Sequence, residues 1–281
     1  MSDLSLSSSQ TYLQIKEKGL AIERLYEESN VPLAKTSELA QLIRVAKALS
    51  DAWLMGQEGE LPVSVLFRVA VLDRIAGAVL PLRALPDRTR FLTALNSGNL
   101  DLLQRKKSYA KNVLWELELW SILKRRDFDA SLEEPPDIVV RFGDLKIGIA
   151  CKKLYSNRHL QNVLSQAVAQ IEPTFDFGIV AINLDDLVPS DSILRTPTQQ
   201  AMSQYIDAWN SRFLNSHERH FRRYLADGRL ISALVSTGAL ADVYRASTRL
   251  NYARQSTVWT ISGLRPDKER ALRKFYDQFM G

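Results

Sequence analysis

Two places in the sequence set polar residues into segments that otherwise read as buried β-structure. Asp137, preceded by Pro136, opens the β-branched run Ile138 to Phe142, and Cys151-Lys152-Lys153 closes the apolar run Ile147, Gly148, Ile149 and Ala150. A buried carboxyl or amine is costly unless it is paired or holds a ligand, so an acid and two cations at these strand ends mark either a site or a cross-strand ion pair.

Periodicity gives the elements that must position these residues. Gly143-Asp144 is a two-residue turn signal between Ile138–Phe142 and Leu145–Cys151, so the two runs form a β-hairpin. Neighbouring strands lie about 4.8 Å apart, which lets Asp137 and Lys152 approach each other at one end of that hairpin. The pattern predicts a helix over about Ser108 to Arg126 before it. After it come an amphipathic helix over roughly Arg158 to Ile171, closed by Pro173, and a buried strand over Phe177 to Leu184. Pro197 opens a long helix predicted to reach Ala226, two or three strands follow between Leu230 and Ile261, and Pro266 starts a terminal helix.

From Thr11 to Gln104 the pattern is helical. Leu39, Leu42, Ile43, Ala46, Leu49 and Trp53 share one helical face, and Gly56 to Leu61 breaks the run. Val65, Leu66, Val69, Leu72, Ile75, Ala76 and Val79 share another until Pro81 stops it, and Pro86-Asp87 and Asn96-Ser97-Gly98 bracket a third, short helix. The expected fold is therefore mixed α/β: a helical domain over 1–104, suited to partner binding or self-association, followed by an α/β domain over 105–281 with a mixed central sheet flanked by helices.

Charge divides along the same line. Up to Gln104 there are 11 Lys/Arg against 12 Asp/Glu, and from Arg105 onward 26 against 20, so the formal charge of +5 arises wholly in the second domain. A basic domain beside a neutral one points to a polyanion, nucleic acid above all. The one cysteine, Cys151, has no intrachain partner, and no run of about 18 apolar residues is present, so a reducing, cytoplasmic setting away from the membrane is expected. Met1 to Gln10 is Ser-rich and reads as a frayed tail and not as a targeting peptide.

Pro136-Asp137, a hairpin, and Ile149-Ala150-Cys151-Lys152-Lys153 together resemble the PD-(D/E)xK, or restriction-endonuclease-like, nuclease superfamily. The preceding helix is similar too, with Glu116, Leu123 and Phe128 at the family's offsets; Glu118 points about 200° away around the helix, so Glu116 is the one expected to face the site. The resemblance covers about residues 108–184. It implies a DNA endonuclease that uses Mg²⁺ or Mn²⁺, in the setting of a bacterial restriction or anti-phage system. Asp137 would be the central metal ligand, the Cys151 backbone carbonyl and Glu116 further ligands, and Lys152 the group that positions and deprotonates water. Gln166 or Gln170 would orient the metal-bound water or touch the phosphate backbone.

Ala150 departs from the family pattern, because the residue two before the lysine is acidic there and a methyl group binds no cation. The chain is thus expected to be an inactivated form, either a natural relative that only binds nucleic acid or a nuclease whose glutamate was replaced. The retained Asp137, Lys152 and Glu116 favour the replacement. Weaker nucleic-acid contacts are expected from Lys153 and from Arg219, Arg222 and Arg223, with DNA favoured over RNA. Arg245, Arg249 and Arg254, alternating with Tyr244, Tyr252 and Trp259, suit either stacking and phosphate contact or core packing. The competing classes are a catalytically inactive nucleic-acid-binding subunit and an assembly protein that uses the fold as scaffold.

Overall fold

The computed structural model of the chain describes residues 12–56, 63–171, 174–175, 177–189, 193–246 and 250–281. Met1 to Gln10, most of the break at Gly56 to Leu61, Pro173 and Arg249 lie outside them. The fold is mixed α/β, with helices preceding a mixed sheet. Two compact units divide the chain within its fifth helix: one takes the described residues up to Ser121 together with 250–252, the other Ile122–Ala246 and Ala253–Gly281.

The first unit is built on α1 (Tyr12–Glu28), α2 (Glu38–Leu54), α3 (Val63–Val79), α4 (Arg88–Ser97) and most of α5 (Tyr109–Arg125). Ser37 caps α2 by accepting a hydrogen bond from the Ala40 N–H at 3.2 Å, which satisfies one of the donors a helix start leaves open. The apolar stripe read from the sequence is the buried face: Leu39, Leu42, Ile43, Ala46 and Leu49 are buried where α2 packs on α1 and α3, as are Ile22 and Leu25 of α1 and Leu72, Ile75 and Val79 of α3. Trp53 ends that stripe exposed, edge-on to Tyr12. Tyr26 is buried with its hydroxyl donating to the Leu92 carbonyl at 2.9 Å, and burial pushes that phenol well above its ordinary pKa.

In the second unit the strand order is β1-β2-β3-β4-β6-β5, with β7 also paired to β6. β1 (Asp129–Leu132), β2 (Ile138–Phe142) and β3 (Leu145–Lys153) are antiparallel, whereas β4 (Phe177–Asn183), β5 (Leu194–Thr196) and β6 (Ser232–Val243) continue the sheet in parallel pairings. β7 spans Leu250–Trp259. Gly143 sits at φ 62° at the head of the β2–β3 turn, a left-handed conformation that glycine adopts without a Cβ clash. The parallel β3–β4 pair needs a crossover, which α6 (Leu160–Ile171) supplies. α6, α7 (Gln199–Ser216) and α8 (Glu218–Ala226) cover one sheet face, where Leu164 and Val168, Phe213 and Leu214, and Phe221 and Leu225 close over Ala150, Val180, Ile182, Ala233 and Val235. α9 (Pro266–Met280) brings Phe275 against Phe128.

Three elements differ from expectation. The short strands β1 and β5 are additional. The long helix predicted to reach Ala226 is two helices, broken at His217 (φ −120°), whose N–H still bonds back to Phe213 and Leu214 carbonyls. A single helix over 199–226 would run about 42 Å at 1.5 Å per residue, far longer than the seven residues of β4 beneath it. Folding back at His217 keeps both Phe213 and Phe221 in the same core.

Gly148 and Gly178 are register neighbours, and each lies under a close approach. A Cβ on Gly178 would stand 2.7 Å from Ile171 Cγ2 and 3.1 Å from the Arg229 carbonyl, and one on Gly148 2.9 Å from Phe175 and 3.2 Å from Pro136. Their bare backbone lets the end of α6 and the Pro136-Asp137 corner settle on the sheet. Gly178→Ala is therefore expected to lower the thermal unfolding midpoint of this unit, at a cost of about 1–3 kcal/mol. Gly77→Ala in α3, where a Cβ meets nothing within 4 Å, is expected to raise stability by about 0.5–1 kcal/mol; differential scanning calorimetry reads both signs.

Candidate functional site

The hairpin register fixes which residues meet. Ile138 pairs with Ile149, and continuing that register by one step sets Asp137 opposite Ala150. Side chains alternate along a strand, so Asp137, Ala150 and Lys152 share the face covered by α6. Lys152 Nζ stands 3.8 Å from Asp137 Oδ2, and their side chains are 18% and 9% exposed. The same ammonium donates to Gln170 Oε1, on the last turn of α6. Asp137 Oδ2 also accepts the Cys151 N–H at 2.5 Å. The acid, the amine and the amide expected at this site thus converge at the end of the hairpin.

Burial pushes the Asp137 carboxyl above its ordinary range, and nearby Glu134 pushes it the same way, against the pull of Lys152 and of the Cys151 N–H. Burial is the largest of these influences, so the ammonium only partly compensates for what the carboxylate loses by leaving water. Ala150 is wholly buried among Leu154, Leu164, Val168 and Val180, a core position in its present form.

These donors do not make a magnesium or manganese site as they stand. Such ions take oxygen ligands, about six of them, and among the described residues no group of three His, Cys, Asp or Glu side chains is gathered to hold a cation. The one carboxylate on the hairpin face already accepts a backbone N–H and faces an amine. Glu116 lies half-buried on α5 in the first unit; Glu118, on the same helix and unit, is buried and holds the Arg74 guanidinium through both carboxylate oxygens.

Of the weaker expectations, Gln166 is exposed on α6, and Arg219, Arg222 and Arg223 are exposed on α8. Lys153 requires correction as a nucleic-acid contact. Strand alternation sends it to the opposite sheet face, where its 3% exposed side chain pairs with Asp186 Oδ2 at 2.6 Å and donates to Asn183 Oδ1 at 2.8 Å. Arg254 is likewise buried, on Asp185 Oδ2 at 2.8 Å and Ser236 Oγ at 3.0 Å, so its charge is neutralised internally. Register aligns Lys153, Asn183 and Ser236 in one polar row across β3, β4 and β6. Sequence reading missed this row, although Asn183 and Asp185-Asp186 ending an apolar strand are its visible trace.

For a carboxyl whose folded pKa is raised, the folded state keeps a proton that the unfolded state has already released. Asp137 therefore costs stability as pH rises from its ordinary value near 3.8 through the raised value. Lys152→Ala removes the charge that restrains this shift. The Asp137 carboxyl, followed by ¹³C NMR, is expected to titrate at still higher pH in the variant, and a downward move would contradict the electrostatic account. Among the described residues no helix is long and apolar enough to cross a membrane. Comparison of the chain with protein-family models, with curated proteins and with solved structures finds no match.

Proposed function

We propose that the chain is a nuclease-type, DNA-acting protein in an inactivated form, which binds nucleic acid and lacks one acid needed to cut it. The observation that carries this reading is the convergence of Asp137, Lys152 and Gln170 on one hairpin face, with Ala150 between the acid and the amine. The arrangement resembles the PD-(D/E)xK motif in residue type, order and strand placement, apart from position 150. Lys152 would meet a phosphate or an attacking water as a cation, and Gln170 would fix where that cation stands. Hydrolysis would require a second carboxylate to hold Mg²⁺ beside Asp137.

The reading extends to a cytoplasmic protein working with DNA in preference to RNA, as the effector of a restriction or anti-phage system, consistent with the basic second domain. The helical unit would bind a protein partner or a second copy, and Trp53, Leu54 and Met55 at the end of α2 are exposed apolar residues of the kind such a contact uses. The same site, unaltered, also supports the catalytically inactive nucleic-acid-binding subunit.

Ala150→Glu in the presence of Mg²⁺ is expected to nick plasmid DNA at least ~10³-fold faster than the chain as it stands, equivalent to about 4 kcal/mol of transition-state stabilisation. Adding Lys152→Ala should abolish the gain, with circular dichroism confirming that both variants fold. A folded Ala150→Glu protein that stays inert on every DNA and RNA substrate defeats the nuclease reading. Salt-sensitive DNA binding by the unaltered chain would then leave the binding-subunit reading in its place.

A further inference from the structure

α8 presents two unlike faces. Phe221, Tyr224 and Leu225 point into the core beneath α6, while Arg219, Arg222 and Arg223 are exposed. Between Arg212 and Arg223 the sequence holds four arginines against one glutamate, a net charge of +3 with histidines neutral. That glutamate, Glu218, pairs with Arg222. Arg219 and Arg223 stand one helical turn apart, where like charges repel, and Arg219 lies in the first turn, where the helix dipole disfavours a cation. The local field reaches His217, whose pKa lies below the ordinary range through burial first, then through His220 and Arg219.

A solvated face of this domain is built differently. α9 mixes signs, pairing Arg265 with Asp267 and Arg273 with Glu269. α6, which packs on α8, carries no charged residue at all and exposes Gln161, Asn162, Ser165 and Gln166. Guanidinium groups beside neutral amides and a hydroxyl are the donors that position a phosphate backbone without reading sequence. Gln170, in the last turn of α6 and one helical turn beyond the exposed Gln166, accepts a hydrogen bond from the Lys152 ammonium, which ties this helix to the hairpin site.

We propose that the outward face of α8, with the amide-rich outer face of α6 beside it, is the surface that grips the phosphodiester backbone of a nucleic acid duplex and delivers it to Lys152. This rests on the reading of the chain as a nucleic-acid-acting protein and adds where the polymer lies. Contact is electrostatic and independent of sequence. Three arginines neutralising three phosphates contribute about 2.7 to the slope of log affinity against log salt, at about 0.9 per phosphate on a DNA duplex.

The test is fluorescence anisotropy of a labelled DNA duplex and of an RNA duplex of the same sequence, titrated with the full chain across a NaCl series. The combined Arg219→Ala, Arg222→Ala and Arg223→Ala variant is expected to bind at least ten-fold more weakly at low salt, with the slope reduced by about two to three. Replacing all three by lysine should restore most of the affinity, and Arg273→Ala on α9 should change nothing. Which duplex loses binding identifies the polymer. If the triple variant does not melt cooperatively, Arg223→Ala alone carries the test through a slope change of about one. Unchanged affinity and slope in the triple variant would overturn this surface and leave the nucleic-acid reading standing, whereas an unaltered chain that binds neither duplex at low salt would overturn both. Capture of anionic phospholipid vesicles in place of either duplex would also overturn it.

Discussion

The register of the β2–β3 hairpin is the constraint on which the second unit depends. Because strand side chains alternate, a slip by one residue would exchange the two faces of the hairpin. In the observed register, Asp137 and Lys152 lie under α6 with Ala150, while Lys153 joins Asn183 and Asp186 on the other face. Both faces of the sheet are apolar over most of their area, so a slip would strand one acid or one amine in a hydrocarbon setting with no partner. Gly143 sets the turn and the pairs from Ile138–Ile149 to Phe142–Leu145 hold it, which makes a local backbone choice the origin of the site's geometry.

Lys152 and Lys153 are adjacent in sequence and meet different physical fates. Lys153 is enclosed, with a carboxylate at 2.6 Å and an amide oxygen at 2.8 Å, the full compensation that a buried charge requires. Removing Asp186 from such a pair would leave a bare cation in the interior, so the pair fixes the end of β3 to the turn after β4. Lys152 has a looser arrangement: its carboxylate is 3.8 Å away and carries a raised pKa, and its side chain keeps some exposure. An ammonium held by an amide and only partly matched by an acid can still interact with an incoming anion. The difference between the two lysines separates an enclosed ion pair from a candidate site.

Much of this was legible in the sequence because the strongest signals were local. The Gly143-Asp144 turn, the β-branched runs around it, the helical stripe of α2 and Pro266 at the start of α9 each follow from short-range chemistry, and the order α5, β2, β3, α6, β4 followed from them. Asp137 and Lys152 were legible because the residues beside them read as buried strand, where an acid or an amine is costly unless paired. β1 and β5 escaped because strands of four and three residues are too short to show a period and are held by pairing with their neighbours. The break at His217 escaped because no proline or glycine marks it; the chain turns there to stay over the sheet, a tertiary demand that overrides helix propensity. Lys153 was misjudged because its partner Asp186 is 33 residues along, and only the β3–β4 register brings the two together.

The alanine at position 150 can be argued from the electrostatics of its neighbours. Asp137 already sits where ionisation is unfavourable, and register puts any side chain at 150 directly across from it. A second carboxylate there would raise the cost further, since two acids sharing one buried space cannot both ionise without a cation or a retained proton. Lys152, with one ammonium, offsets one of them. An acidic residue at 150 would thus need a retained proton or a cation beside it, whereas the methyl of Ala150 joins Leu164, Val168 and Val180 and stabilises the fold by apolar burial. The two requirements oppose each other at a single position: the carboxylate that the proposed hydrolytic site would need is the one that this buried corner is least able to accommodate. In this chain the balance falls on the side of the fold, and the polar groups that remain are those that one amine and one backbone N–H can hold without a metal.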